Sequence, residues 1–367
     1  MVLDSEFATN DKVYNILKEK LTKEYLDVTP GHAGLTISPL QPNYFSFTFS
    51  ISLKNAENSK TIFIKIPKND LRGQIPKIMP ITEKDRMIAE EEIKSLKLLR
   101  KNWPVDNHGT EWIKLIGEIP EYNTIITEYV LGDEAFAIFR KYDIRGRFGY
   151  TNDKNILENS MGAIGRALRN YHDTESSKTT YYISNDLIKI EKYCNKIKEF
   201  SNVKILEKIV NEIRSMNDFS DLSYAVPTIK GLDIRNILIG QKKNFFLLDP
   251  GKIKLAFREA DLARFIITYR MIYWGSIKLL LFKTPSKNAE LTFINAYSNE
   301  GISEKLLTIL LIKEQLKHWL NIYDYINCVN WDSKLKKIIS LIYIDPFFSN
   351  IINNDLKILI KSPDKLD

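Results

Sequence analysis

The sequence predicts an α+β chain in two lobes, a small antiparallel β-sheet followed by a larger, mainly helical part. Three observations carry this. The segments GLTISPL, NYFSFTFSISL and KTIFIKIP are rich in Thr, Ile, Phe and Ser with near-alternating polarity, the pattern of antiparallel strands with one buried face. After Gly132 helical patterns dominate. Within that helical part, Asn236–Asp249 reads as one short β-hairpin, ILIG and FFLL around the polar turn QKKN.

Residues 10–26 read as an amphipathic helix that precedes the first strands. Thr82–Trp103 reads as a helix with Ile88, Leu96 and Leu99 on one stripe, and WIKLIGEI and NTIITEYV as two more strands. Residues 1–131 thus form the first lobe. In the second, 132–367, helical patterns cover Ile156–Asp173, Asn185–Phe200, Val203–Met216, Leu262–Leu281, Lys305–Ile326 and Lys334–Ile342. Two unequal lobes leave a cleft between them, where ligands preferentially sit.

The 367 residues are 44% hydrophobic and 27% charged, ordinary for a globular chain. Two cysteines, Cys194 and Cys328, are too few for a disulfide scaffold and show no zinc spacing. With no basic-then-apolar leader pattern at the N-terminus, a cytoplasmic protein is expected. The apolar regions 265–282 and 305–323 are interrupted by charges, so no transmembrane segment is expected. Residues 1–131 carry 17 Lys/Arg against 18 Asp/Glu, and the remainder 36 against 28, a net +8 there. That excess would suit nucleic acid or an anionic membrane. The basic residues alternate with acids, however, so a solvated surface is the simpler reading and no nucleic acid is expected.

The hairpin brings chemistry with it. Pairing about Lys242–Lys243 sets Asn236 and Asp249 nearly opposite each other, so their oxygens leave the same end. A carboxylate and an amide carbonyl are hard donors that suit Mg²⁺ shared with phosphate oxygens, although Asn and Asp also commonly end strands as turn-formers. In TIFIKIP, Lys65 stands between Ile64 and Ile66; a buried ammonium needs a partner. Glu92 lies on the apolar stripe of the 82–103 helix and would supply it. A Lys–Glu pair of this kind anchors the α- and β-phosphates in kinases. The plainer alternatives are an edge-strand lysine in water and one more member of the solvated run Glu90–Glu92.

These residues, in this order, resemble the aminoglycoside phosphotransferase and choline kinase-like family of the protein-kinase-like fold, over roughly residues 35–270. EEEIKSLKLL is similar to that family's helix bearing the Lys-pairing glutamate. ITEYVLG resembles the linker between the lobes, which implies that the backbone of Glu128 and Val130 holds adenine. IGRALRNYHDTE resembles the first long helix of the second lobe, with His172 structural. LDIRNILI and LLDPGK resemble the catalytic loop and the metal-binding segment, and EADLARFI implies that Asp261 buttresses that loop. The resemblance implies ATP or GTP as donor, Mg²⁺ at Asn236 and Asp249, and a small-molecule hydroxyl acceptor such as a sugar, amino alcohol or aminoglycoside-like compound.

Two departures qualify it. The family's catalytic loop runs His-Gly-Asp and then four residues to the metal-binding Asn. Five before Asn236 stands Gly231, preceded by Ile229 and Lys230. Asp233 is the nearest carboxylate and the candidate base; the alternatives are that it orders the loop and that Lys230 steadies the phosphoryl charge. The connection SPLQPNYFS, where a phosphate-covering loop would lie, has no glycine. A small-molecule kinase is therefore the leading expectation. A catalytically impaired nucleotide-binding pseudokinase or scaffold is the alternative. The insert Ser177–Leu222 and the tail after Ile272 are where acceptor recognition is expected, with AFAIFRKYDIRGRFGY and FKTPSKNAE lining that end, without assigned chemistry.

Overall fold

The computed structural model describes the chain except residues 1–11, 29–31, 44, 55–58, 72–76, 105–107, 217, 275, 277–283, 299–300, 330 and 362–367. Helix α1 (Lys12–Leu26) is followed by strands β1 (Leu35–Ile37), β2 (Gln41–Pro42), β3 (Ser46–Lys54) and β4 (Ser59–Pro67). Helix α2 (Glu83–Asn102) and strands β6 (Leu115–Ile119) and β7 (Thr124–Glu128) complete the first lobe, with β5 (Thr110–Trp112) between α2 and β6 in the chain. Its antiparallel sheet runs β1-β3-β4-β7-β6, with β2 on β3.

Alternation decides which face each side chain takes. In β3 and β4, Phe47, Phe49, Ile51, Ile62, Ile64 and Ile66 are buried on one face, where Tyr14, Leu17 and Leu21 of α1 cover them. Lys65 therefore points to the other face, toward α2. It is the neighbour of the buried isoleucines, not one of their layer.

The second lobe comprises α3 (Ala135–Arg147), α4 (Thr151–His172), α5 (Ser184–Lys198), α6 (Ile205–Ser215), α7 (Glu259–Arg270), α8 (Lys287–Tyr297), α9 (Glu304–Cys328), α10 (Ser333–Ile339) and α11 (Asp345–Lys361), with a π-turn at Ser340–Ile344 between the last two. Its core packs Phe139, Met161, Leu168, Phe265, Ile266, Phe293, Trp319 and Phe348. None of its described helices is long and apolar enough to cross a membrane.

Besides the helices α3, α8 and α11, which the helical patterns did not include, two features differ from the sequence reading. First, the hairpin has company. β8 (Gly132–Glu134), β11 (Ile237–Gly240), β12 (Phe245–Leu247) and β5 form one sheet, and β9 (Ser177–Tyr182), β10 (Ser220–Ile229) and β13 (Ile253–Phe257) another. The pattern missed β9 because it is mostly exposed, and β10 because Ala225–Ile229 is buried throughout, so neither alternates cleanly. Second, WIKLIGEI is split: β5 leaves the first lobe and pairs in parallel with β12. Part of the predicted helix Leu262–Leu281 is α7; its end at 277–281 lies outside the described residues.

Candidate active site

The N-terminus of α2 is fixed before the face carrying Glu92 is reached. Thr82 and Asp85 form a capping box, with Thr82 N–H donating to Asp85 Oδ2 at 2.9 Å and Asp85 N–H to Thr82 Oγ1 at 3.2 Å. Asp85 also accepts from Lys68 Nζ at 2.8 Å and from Asn69 N–H at 2.6 Å, just past the end of β4. Burial raises the Asp85 pKa, but these donors outweigh it and hold the carboxyl below its usual range. Asn123 closes the node, its Nδ2 donating to the carbonyls of Pro67 and Asp85. Strand end and helix start are thereby tied together, and two turns along α2 Glu92 comes level with Lys65.

Lys65 Nζ donates to both oxygens of Glu92, at 2.8 and 2.9 Å, and stands 2.9 Å from Asp249 Oδ2. Three sequence-predicted residues from β4, α2 and the second lobe thus share one contact. Burial works against the lysine's charge, but Asp249 and Glu92 together hold its pKa above the ordinary lysine value. Burial and the charge of Asp249 push Glu92 up to about 7, with Lys65 pulling the other way. Asp249 itself is 46% exposed, the open corner of the triangle.

The hairpin register pairs Ile237 with Leu247 and Ile239 with Phe245, and Leu248 N–H donates to the Asn236 carbonyl at 2.7 Å. Asn236 is therefore opposite Leu248, one residue short of Asp249, and the turn centres on Lys242. The Asn236 Nδ2 donates to the Gly231 carbonyl at 3.0 Å, which leaves its Oδ1 as the group available to a cation. Asp249 adopts a left-handed backbone, φ 39°, which Asp tolerates better than most residues. Among the described residues no cluster of three His, Cys, Asp or Glu could hold a metal. One carboxylate and one amide oxygen still fit a Mg²⁺ that draws its other ligands from phosphate and water.

Gly231 has no room for a side chain. Its N–H donates to the Pro250 carbonyl at 2.8 Å, and a Cβ there would lie 1.8 Å from the Asp249 carbonyl oxygen. The carboxylate missing at this position could not be accommodated by this backbone.

Asp233 caps the 3₁₀ turn Ile234–Asn236, accepting from Arg235 N–H at 2.8 Å. The Arg235 guanidinium holds both its oxygens, Nε donating to Oδ1 at 2.9 Å and Nη2 to Oδ2. The residue expected as base is thus occupied by its neighbour.

Asp261 is fully buried at the start of α7. Its Oδ2 accepts from Ile229 N–H at 2.8 Å and faces His172 Nε2 at 3.3 Å; its Oδ1 accepts from Arg264 Nη1 at 2.7 Å. Arg264 Nη1 also donates to the Ile229 carbonyl at 2.7 Å. Both backbone groups of Ile229, the residue leading into Lys230–Gly231, are therefore held.

At the linker, Glu128 N–H donates to the Lys114 carbonyl at 2.9 Å, and its side chain accepts from Lys114 N–H at 2.7 Å. The Glu128 N–H is therefore already engaged. Val130 packs on a cluster of Ala89, Ile93, Leu96, Ile113 and Ile125 that also receives Phe246 and Leu248 of the hairpin.

Sequence reasoning missed the roles of Arg235, Arg264 and His318. Arg264 stands three residues after Asp261, a helical spacing that brings the two together. His318 on α9 is pushed down to about 4 by burial and by the charges of Arg235 and Lys317, so a neutral imidazole neighbours the loop; a lone His in a helical run gave no signal of this.

No protein-family model and no curated protein matches the chain. Solved structures do. A GDP complex of an aminoglycoside 2'-phosphotransferase-IIIa variant superposes with a TM-score of 0.56 at 9% identity, covering 94% of this chain and 100% of that one. ADP-bound aminoglycoside phosphotransferase APH(2'')-Ib gives 0.51 at 10% identity, over 94% and 98%. The choline kinase LicA from Streptococcus pneumoniae gives 0.49 at 14% identity, over 95% and 99%. The chain has the two-lobed, kinase-like fold of the aminoglycoside phosphotransferases, with Lys65, Glu92, Asn236 and Asp249 gathered where its lobes meet.

Proposed function

We propose that the protein is a small-molecule kinase that transfers a phosphoryl group from ATP or GTP to a hydroxyl of a sugar, amino alcohol or aminoglycoside-like acceptor. The observation that carries this is the Lys65–Glu92–Asp249 contact, which joins strand, helix and second lobe at 2.8–2.9 Å. Solved neighbours of the same fold hold GDP and ADP, in keeping with a nucleotide donor.

In this reading Lys65 holds the α- and β-phosphates and Glu92 orients Lys65. Asn236 and Asp249 hold Mg²⁺, which would neutralise phosphate charge. Glu128 and Val130 offer backbone groups to the base, and Asp261 keeps the loop in place. Asp233, paired with Arg235, serves better as a positioning residue than as a base. Phosphoryl transfer tolerates this, because its transition state depends on positioning and electrostatics more than on proton abstraction.

The test is turnover of ATP and GTP with a panel of sugar, amino-alcohol and aminoglycoside acceptors. Asp249→Ala is expected to lower it by about 10²-fold or more; unchanged turnover would refute the site. A second reading, a nucleotide-binding protein without transfer, is favoured by the closed space at Gly231. Mg·nucleotide that raises the melting temperature without turnover of any acceptor would select it.

A further inference from the structure

The stretch Ser333–Ile344, SKLKKIISLIYI, contains three lysines and no acidic residue; the exposed Asp332 just before it caps its first turn, accepting from Lys334 N–H. It is a surface helix, α10 running through the π-turn into α11. Its inner side is set by Ser340 and Ile344, both buried, and by Tyr343, which packs on Trp274. The outward side is unusual. Leu335, Ile338, Leu341 and Ile342 are 44, 51, 58 and 64% exposed, and Trp331, just before the helix, is 40% exposed. Positions 331, 335, 338 and 342 follow the spacing of one helical face. Lys334 and Lys337 edge this face and are exposed, whereas Lys336 turns aside to donate to the Asn327 carbonyl.

Scattered single apolar residues on a surface are normal, whereas a contiguous row of this size marks a partner. Charge complementarity decides which. A symmetric second copy would bring lysine against lysine across the contact. An apolar face with basic edges and a tryptophan at one end is the pattern of a helix lying in the interface of a negatively charged bilayer. We propose that the Trp331–Ile342 face docks on an anionic phospholipid surface, inserting Leu335, Ile338, Leu341 and Ile342 among the acyl chains while Lys334 and Lys337 meet the headgroups. This is peripheral attachment, independent of the phosphotransfer reading.

The experiment is flotation of the full chain with vesicles of phosphatidylcholine alone and of phosphatidylcholine mixed with phosphatidylglycerol. Binding is expected only to the mixed vesicles, falling as salt rises. Ile338→Glu/Ile342→Glu is expected to lower partitioning by about tenfold or more, and Lys334→Glu/Lys337→Glu to remove the preference for phosphatidylglycerol. Both pairs lie on the exposed side, so an unchanged melting temperature separates lost docking from lost folding. Three results would overturn the proposal. One is no flotation of the wild-type chain with either vesicle. Another is equal flotation of the Ile338→Glu/Ile342→Glu chain. The third is a wild-type dimer that this double substitution dissociates, which would assign the face to a second copy.

Discussion

Gly231 and Asp249 touch through their backbones: a Cβ on the first would stand 1.8 Å from the carbonyl oxygen of the second. The loop that leads to Asn236 and the segment that carries Asp249 are pressed together at this point, braced by the Gly231 N–H to the Pro250 carbonyl. The glycine is therefore a packing requirement, and a carboxylate restored there would have to displace Asp249, the residue proposed to bind Mg²⁺.

Gly231→Ala and Gly231→Asp are accordingly expected to cost about 1–3 kcal/mol of stability, with no gain in turnover. Urea unfolding and steady-state kinetics check this. A Gly231→Asp protein with the wild-type midpoint and faster turnover would contradict it.

Removing Lys65 alone leaves Glu92 buried without its counter-charge. Lys65→Met is expected to destabilise the chain by about 3–5 kcal/mol above pH 7. Lys65→Met/Glu92→Gln should recover most of that loss while remaining inactive, since the two residues form one unit. Additive losses in a double-mutant cycle would mean that the pair does not interact.

The Glu92 carboxyl keeps its proton up to about pH 7 in the folded chain, against 4.5 for an unperturbed glutamate. Between those values the folded state binds more protons than the unfolded one, so this contribution to stability is full below about 4.5 and is lost as pH rises through about 7. Urea midpoints measured across this window should fall with pH in the wild type and flatten in Glu92→Gln. Mg·nucleotide, by drawing Asp249 away, should move the inflection to lower pH. A Gln variant with the wild-type slope would assign the titration elsewhere.

Arg235→Ala and Asp233→Asn break the same pair, which Arg235 closes through its N–H, Nε and Nη2. If Asp233 positions the loop, both substitutions lower kcat to a similar extent and leave its pH profile unchanged. Loss of a base would appear instead in Asp233→Asn alone, as a fall of about 10²–10⁴-fold with an altered acidic limb.

Asp261→Ala strips the acceptor from Ile229 N–H and leaves the Arg264 guanidinium buried beside it. A loss of about 3–5 kcal/mol is expected. Asp261→Asn, which keeps the shape and one acceptor, should lose less by the same denaturant measurement.

Much of this was legible in the sequence because it rests on local spacing. Lys65 between isoleucines, Glu92 on an apolar stripe and the thirteen residues from Asn236 to Asp249 fix positions on single elements, and the elements then meet as the two-lobed pattern requires. The hairpin was readable to within one residue; its centre at Lys242 depends on a turn whose Lys243 has φ 60°, which residue types alone do not signal. What stayed hidden was non-local. β5 looks like a strand of the first lobe until β12 claims it, and β9 and β10 pair across some forty residues of intervening helix. The node of Lys68, Asp85 and Asn123 joins three distant segments through side chains, and no periodicity announces such a meeting. The role of Arg235 was hidden by its ordinariness, a surface-type residue two places from an acid.

The crossing of β5 also sets how the molecule breathes. Because Thr110–Trp112 is laced to Phe245–Leu247, the chain is stapled into the lower body on both sides of the segment 113–131 that climbs into the upper sheet and returns. Any opening of the mouth must bend the chain on both sides of β5 and again between β7 and β8. Asn236 and Asp249 then ride with the jaw below, Lys65 and Glu92 with the jaw above. The span between the ammonium at 65 and the carboxylate at 249 becomes a natural gauge of closure, shortest when the mouth is shut and empty and lengthened by whatever enters.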